Sequence, residues 1–426
     1  MQKILIITYY FPPVLGAAPW RPYSWAKEFK TYGLAPTVLT RHWKGDESNW
    51  NDFVKENNTP VSFEINDGYE IYHLPSAKLG VLKLIENNLL KIKLLSKVFY
   101  FLTNLTGYHN IEADGYATFS GFLKTHLQKA EYDYILITYP PSNLLRLLPF
   151  LKKNSSAKII LDIRDLWNNH IMDVDYNPGF SQHILDVSST YYAKKNLRHA
   201  DLITVVTPSF QDTIDKLAKK KSIVIYNGFE EYLFADLKKE RSPKFRISYI
   251  GNLYPVMKLE LILDGLNMFI KDKSHEKIEL KFIGAGSSSI IKTKIESALP
   301  TAFLIIKPMV AKEEAVQHTL NSEVLLQYGW KGFKGMIGTK TFDYIASGNN
   351  ILLAPGDEDI VDELISKTKT GKSVESAEQF CEVLNQWYQE WLINSSIKYN
   401  GDKREINFYS RENQAALLAA AIKKIK

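Results

Sequence analysis

The chain of 426 residues contains one cysteine, Cys381. A single thiol excludes an internal disulfide framework and a cysteine-built metal site, and it fits a reducing cytoplasm. No apolar run reaches the roughly 18 residues that a membrane-spanning helix needs. The opening Met1-Gln2-Lys3-Ile4-Leu5-Ile6-Ile7 reads as a first β-strand, because a signal peptide needs a longer apolar core and a small-residue cleavage site. The nine histidines show no H-x-x-x-H spacing. The acidic pair Asp173-Val174-Asp175 lies in a polar stretch and reads as solvated. No metal site is therefore expected. The excess of one charge sign is small as well. The formal net charge is +6 and the basic residues are scattered, which argues against nucleic acid as the main partner. An anionic small molecule or an anionic membrane surface fits this balance equally well.

Hydrophobic residues make up 45% of the chain, enough for two α/β domains of about 200 residues each. Ile4 to Thr8 is a β-branched run of the kind found in buried parallel strands. A helix from Pro19 to Tyr32 follows, stopped by Gly33, and Thr37 to Thr40 is the next strand. Further strands are predicted at Glu70 to His73, Tyr134 to Thr138, Lys158 to Asp162, Leu202 to Val206 and Ser222 to Tyr226. A charged stretch, Phe234 to Ser242, reads as a linker. The second series places strands at Arg246 to Ile250, Glu279 to Ile283, Phe303 to Ile306, Val324 to Gln327 and Asn350 to Ala354. Its helices fall near Lys258 to Phe269, Ser288 to Ala298, Ala311 to Leu320 and Thr339 to Ser347. This alternation predicts parallel sheets covered on both faces. Arg411 to Lys426 reads as an alanine-rich final helix with a basic end.

Residues 82 to 107 combine an apolar stripe with Lys83, Lys91, Lys93 and Lys97. Two readings stand side by side: an amphipathic helix on an anionic bilayer, or a core-facing helix with its lysines in water.

Open α/β sheets bind ligands beyond the carboxyl ends of their strands, so the strand-end loops are where chemistry is expected. After the first strand, Gly16-Ala17-Ala18 lets a substrate approach the backbone, without the G-x-G-x-x-G dinucleotide pattern. Thr138-Tyr139-Pro140-Pro141-Ser142 follows the strand at 134 to 138. Arg164, Asp165 and Trp167 then offer a forked cation, a hydroxyl acceptor and an aromatic face. An ordinary Arg–Asp pair at a helix start is the competing reading, and His170 stands a few residues beyond. In the second series, Gly251 and Asn252 open a loop that ends at Lys258, and Gly284-Ala285-Gly286 follows the next strand. Gly338-Thr339-Lys340-Thr341-Phe342-Asp343-Tyr344 leads from a loop into a helix. The free N–H groups there suit a phosphate, and Lys340 adds a full charge. Asp343, one turn on, either holds sugar or ribose hydroxyls or forms a surface pair with Lys340.

With these segments in order, the chain resembles the retaining GT-B glycosyltransferases of the large family numbered four, also called glycosyl transferases group 1. The resemblance rests on six segments. They are Tyr10-Phe11-Pro12-Pro13 with Gly16-Ala17-Ala18 and Arg21; Leu161 to Trp167; Val224 to Phe229; Tyr249 to Leu253 with Lys258; Phe282 to Gly286; and Lys340 to Gly348. It implies two Rossmann-like domains facing a central cleft: residues 1–235 for the acceptor and 236–404 for the donor, with a helix at 405–426 packing back on the first.

The implied reaction moves a sugar, with retention, from a nucleotide-diphosphate donor to a glycan or lipid-linked acceptor in cell-surface polysaccharide biosynthesis. It needs no metal and no cofactor, since the nucleotide sugar is a substrate. The implied location is cytoplasmic, peripheral on the inner membrane face through 82–107. Lys258, Asp343 and Asp165 would be catalytic. Gly16, Ala17, Gly251, Asn252, Lys258, Gly284, Gly286, Lys340, Thr341 and Asp343 would bind the donor. Arg21, Tyr139, Arg164, Asp165, Trp167 and His170 would bind the acceptor. The sequence departs from the family at two points: Gly335 stands where many members carry the first of two glutamates, and Asn252 stands where many carry an arginine. These departures give a second reading, a catalytically inactive subunit that binds sugar nucleotide or glycan.

Overall fold

The computed structural model describes residues 1–14, 16–45, 47, 55–76, 93–105, 115–167, 180–240 and 242–425. They form two compact units. One runs to Tyr226 and takes up the chain again at Ala415; the other is Asn227–Gln414.

The first unit holds eight strands: β1 Gln2–Ile7, β2 Leu34–Arg41, β3 Ser62–Ile65, β4 Glu70–Leu74, β5 Tyr134–Tyr139, β6 Lys158–Ile163, β7 Leu202–Val205 and β8 Ile223–Val224. Their order is β3-β4-β2-β1-β5-β6-β7-β8. All pairings are parallel except β3 with β4. The edge strand β3 has no counterpart in the sequence expectation, because its residues face solvent and leave no buried apolar run to mark it. The predicted helix after β1 is split into an α-helix, Trp20–Glu28, and a 3-10 turn, Phe29–Tyr32, closed by left-handed Gly33. Ile4, Ile6, Leu136 and Ile160 form the centre of the core with Trp25, Phe29 and Val38.

The second unit holds β9 Phe245–Ile250, β10 Ile278–Ile283, β11 Leu304–Lys307, β12 Val324–Gln327, β13 Asn350–Leu353 and β14 Gly371–Ser373. The order β11-β10-β9-β12-β13-β14 is the doubly wound arrangement, with its reversal between β9 and β12. β12 pairs with β9 only at Ile247 and Ser248, so the two strands part before their carboxyl ends. In the first unit the reversal lies between β1 and β5. Such reversals open the crevice in which α/β sheets take ligands. Cys381 lies on the helix Ala377–Asn394 and packs against the second core.

The break falls after Tyr226, earlier than the expected 235, for a packing reason. Leu233, on the short helix Glu231–Asp236, is buried with Val316 and Leu320 of the second unit. The expected linker is anchored there too, since Lys239 donates to Ser322 O at 2.9 Å and Asn349 Oδ1 at 3.0 Å. The last helix is Arg411–Ile422, and its Ala415, Leu418, Ala419 and Ile422 are buried in the first unit's core. Of the segment 82–107, the described part is the helix Lys93–Leu105; residues 82–92, 106 and 107 lie outside the described residues.

Candidate active site

The carboxyl ends of β9 and β12 are bridged by tyrosines. The backbone N–H of Lys258, in the loop after β9, donates to Tyr328 Oη at 3.2 Å, just past β12. Tyr344, on the helix Thr339–Ala346, accepts from Ile250 N at 2.7 Å and donates to Ile250 O at 3.2 Å. It thus satisfies the end of β9 where β12 has left it. Lys340, at the start of the same helix, donates to Tyr249 Oη, with its ammonium 3.6 Å from the ring centre. Tyr249 Oη in turn donates to Asn252 O at 3.1 Å. Dehydration pushes Lys340 down to about 7, and burial pushes the Tyr249 hydroxyl up.

The glycines of these loops answer to backbone packing. Gly251 has φ +125°, and a Cβ there would stand 3.1 Å from Lys340 Cδ. A Cβ on Gly284 would stand 2.5 Å from Gly251 O, and one on Gly286 2.7 Å from the Lys307 carbonyl carbon. Of the groups expected at the donor, Lys258 and Asn252 are exposed, whereas Thr339 and Lys340 at the helix start are half-buried. Gly335, in the loop after β12, donates its N–H to Asp359, which follows β13.

Asp343 and Thr341 turn inward. Thr341 is fully buried. Asp343 is 9% exposed and its Oδ2 accepts from Lys312 Nζ at 2.5 Å, so the expected surface pair with Lys340 does not form. Lys312 also lies 3.9 Å from Glu230 Oε2, and Glu230 Oε1 lies 2.8 Å from Arg411 Nε. Burial pushes the Asp343 carboxyl up, Lys312 opposes this, and Glu230 adds to it. Asp343 Oδ1 is itself buried and has no hydrogen-bond partner among the described residues. The sequence reading missed Lys312, Glu230 and Arg411, which lie far apart in the chain. It quoted Tyr249 and Tyr344 without seeing that they fix the loop and helix.

In the first unit, Arg164 ties the loops together. Its Nη1 donates to Ala18 O at 2.8 Å, and its backbone N–H donates to Tyr139 O at 3.0 Å. Burial pushes the Arg164 guanidinium down, with Asp165 opposing. Gly16 and Ala17 are exposed in the loop after β1; Gly16 has φ +104° and open space where a Cβ would stand. Asp165 is exposed, whereas Tyr139 is buried with its ring 6.4 Å from that of Trp167. Trp167 donates its indole N–H to Thr190 Oγ1 at 3.2 Å.

Arg21 is an internal cross-tie. It is 2% exposed, forks onto Asp162 at 3.0 and 2.7 Å, and donates to Tyr226 O at 2.6 Å. Its N–H groups hold the first unit together and are not presented to an acceptor. His170 lies outside the described residues.

No family model matches the sequence, and no curated protein matches it. Solved structures do. A sucrose-phosphate synthase from Thermosynechococcus elongatus superposes with a TM-score of 0.65 at 13% identity, covering 100% of this chain and 99% of the other. The Anabaena protein HepE, in complex with UDP-glucose, gives 0.56 at 13% identity over 99% and 100%. WaaG, a glycosyltransferase involved in lipopolysaccharide biosynthesis, gives 0.57 at 12% identity over 99% and 100%. With two doubly wound units and this likeness over its whole length, the chain has the GT-B fold.

Proposed function

We propose that the protein is a glycosyltransferase that moves a sugar, with retention, from a nucleotide-diphosphate donor to a glycan or lipid-linked acceptor. The observation that carries this reading is the end of β9. There Lys340 and the start of its helix are held beside the Gly251 loop by Tyr249 and Tyr344. Together they offer fixed positive charge and backbone N–H groups at a sheet reversal. The likeness to HepE, solved with UDP-glucose, supports a sugar nucleotide as the donor.

In this reading the diphosphate binds at the start of the helix Thr339–Ala346. Lys340 and Lys258 offset the charge that develops on the departing diphosphate, which is how fixed charges accelerate such a transfer. No metal or cofactor takes part. In the first unit, Arg164, Asp165 and Trp167 serve the acceptor. The test is a thermal-shift screen against UDP-, GDP-, ADP- and CMP-sugars, since a ligand of the native state raises its stability. A transferase assay with the donor that binds completes it. Binding without transfer to any acceptor would favour the inactive binding subunit instead.

A role in cell-surface polysaccharide assembly on the inner membrane face is part of the proposal. On the helix Lys93–Leu105, Leu95, Val98 and Leu102 are 40, 49 and 51% exposed at one-face spacing, with Lys97 exposed beside them. Apolar side chains with a basic flank suit an anionic bilayer. Flotation with anionic vesicles tests this, and failure to float would leave the stripe as packing surface.

A further inference from the structure

Among the described residues, β3 is an open edge of the first unit's sheet, paired on one side with β4. Such an edge leaves a row of unpaired N–H and C=O groups, which monomeric proteins blunt with lysine, proline or other charge. β3 is built the other way. Asn66 N donates to Tyr69 O at 2.9 Å, closing the hairpin through Asp67 and Gly68. Hydrogen-bonded and open pairs alternate along an antiparallel ladder, so Glu64 and Ser62 turn their backbone groups toward β4. Val61, Phe63 and Ile65 turn theirs outward. The side chains of these same three residues share one face of the sheet and are 48, 45 and 76% exposed. The Phe63 ring lies 4.7 Å from that of Tyr72, which lies 5.3 Å from that of Phe122 on the helix Gly115–His126. The exposed stripe thus carries an aromatic cluster out to the rim of the sheet. The one charge on the strand, Glu64, is on the opposite face, 3.8 Å from His73.

This edge is complementary to itself. Set antiparallel to a second copy about a two-fold axis at Phe63, it places Phe63 opposite Phe63 and Val61 opposite Ile65. Every outward N–H and C=O of the three residues then finds a partner. Glu64 stands opposite Ser62, so no like charges face each other directly. The neighbouring registers are poorer. Centred on Ser62, the pairing takes Ile65 away from the apolar stripe of the other copy. Centred on Glu64, it does the same to Val61 and sets two carboxylates face to face.

We propose that β3 pairs antiparallel with β3 of a second copy of this chain, joining two first-unit sheets across a two-fold axis at Phe63. The occupant is a second copy because the backbone register, the apolar contacts and the place of the one charge all close on themselves. The pairing does not rest on the transferase reading.

An edge strand of 4 residues covers less than a standard interface, so the dimer should be weak, with a Kd on the order of 10–100 µM. The test is sedimentation velocity of the full chain from about 1 to 300 µM, a span that brackets this value. A reversible monomer–dimer equilibrium is expected, with no larger species, because a two-fold pairing closes. Phe63→Glu sets two carboxylates face to face and should weaken the dimer about thirtyfold or more. Ile65→Glu, at the most exposed of the three positions, should weaken it about tenfold. Adding Val61→Lys should bring the affinity back to within about threefold of the parent, because in this register positions 61 and 65 meet across the axis. Thermal unfolding checks that each variant keeps the parent's Tm; where Phe63→Glu lowers it, the pair at 61 and 65 carries the test. The proposal is overturned if the chain stays monomeric across the whole concentration range, or if it grows beyond a dimer. It is equally overturned if Ile65→Glu leaves the dimer unchanged, or if Val61→Lys does not restore it.

Discussion

The hydroxyl of Tyr344 meets both backbone polar groups of Ile250, accepting from its N–H at 2.7 Å and donating to its oxygen at 3.2 Å. This one side chain substitutes for the ladder that β12 no longer provides and fixes the helix bearing Lys340 to the end of β9. Tyr344→Phe leaves a buried N–H without its acceptor, so stability should fall by about 1–3 kcal/mol in urea unfolding. Sugar-nucleotide affinity should fall with it. A variant as stable as the parent, binding donor equally well, would mean that the clamp is dispensable.

Lys340 should make donor binding pH-dependent. Its ammonium is pushed down to about 7, so in the unliganded protein it is charged below that pH and neutral above it. Donor affinity should therefore weaken as pH rises from about 7, with a pH-insensitive profile in Lys340→Arg, whose guanidinium stays charged. For folding the sign is opposite. The unfolded chain keeps this proton up to about 10.4, so it binds more protons than the folded chain between about 7 and 10.4, and this group's contribution to stability rises with pH across that window. Donor titrations and urea unfolding at pH 6, 7.5 and 9, about a unit or more apart around that midpoint, check the two halves.

Lys312 sits between two buried carboxylates, Asp343 and Glu230. Lys312→Met removes their shared cation and should cost about 3–5 kcal/mol, the scale for breaking a buried pair. Adding Asp343→Asn should recover part of that loss, because residues in one network do not act additively. A double variant that loses the sum of the two single losses would show that the pair is not coupled.

Much of the fold was legible because short segments built around apolar runs alternate with helical patterns, as in Ile4 to Thr8, Lys158 to Asp162 and Val324 to Gln327. β3 was not, since an exposed antiparallel edge carries no such run. At the site, Lys340 was legible from its place at a loop-to-helix junction. Its tether was not, because Tyr249 lies 91 residues away and a tyrosine ending a strand reads as core. Asp343 was read as a ligand contact from its place one turn beyond Lys340, and Arg21 from the resemblance alone. Their partners Lys312 and Asp162 lie 31 and 141 residues off, and pairing at that distance leaves no local pattern.

Lys340→Met and Lys258→Ala should each reduce sugar transfer by roughly a hundredfold or more, the scale for losing a charge stabiliser of a transition state. Steady-state assays at saturating donor separate this from weaker binding. Unchanged turnover in both would remove the lysines from the chemistry.

Crystals soaked with the sugar nucleotide that gives the largest thermal shift test the central claim most directly. The diphosphate should lie about 3 Å from the backbone N–H groups of Thr339 and Lys340, with the Lys340 ammonium turned from Tyr249 toward it. A bound sugar nucleotide lying elsewhere, with that helix start empty and Lys340 still on Tyr249, would contradict the account.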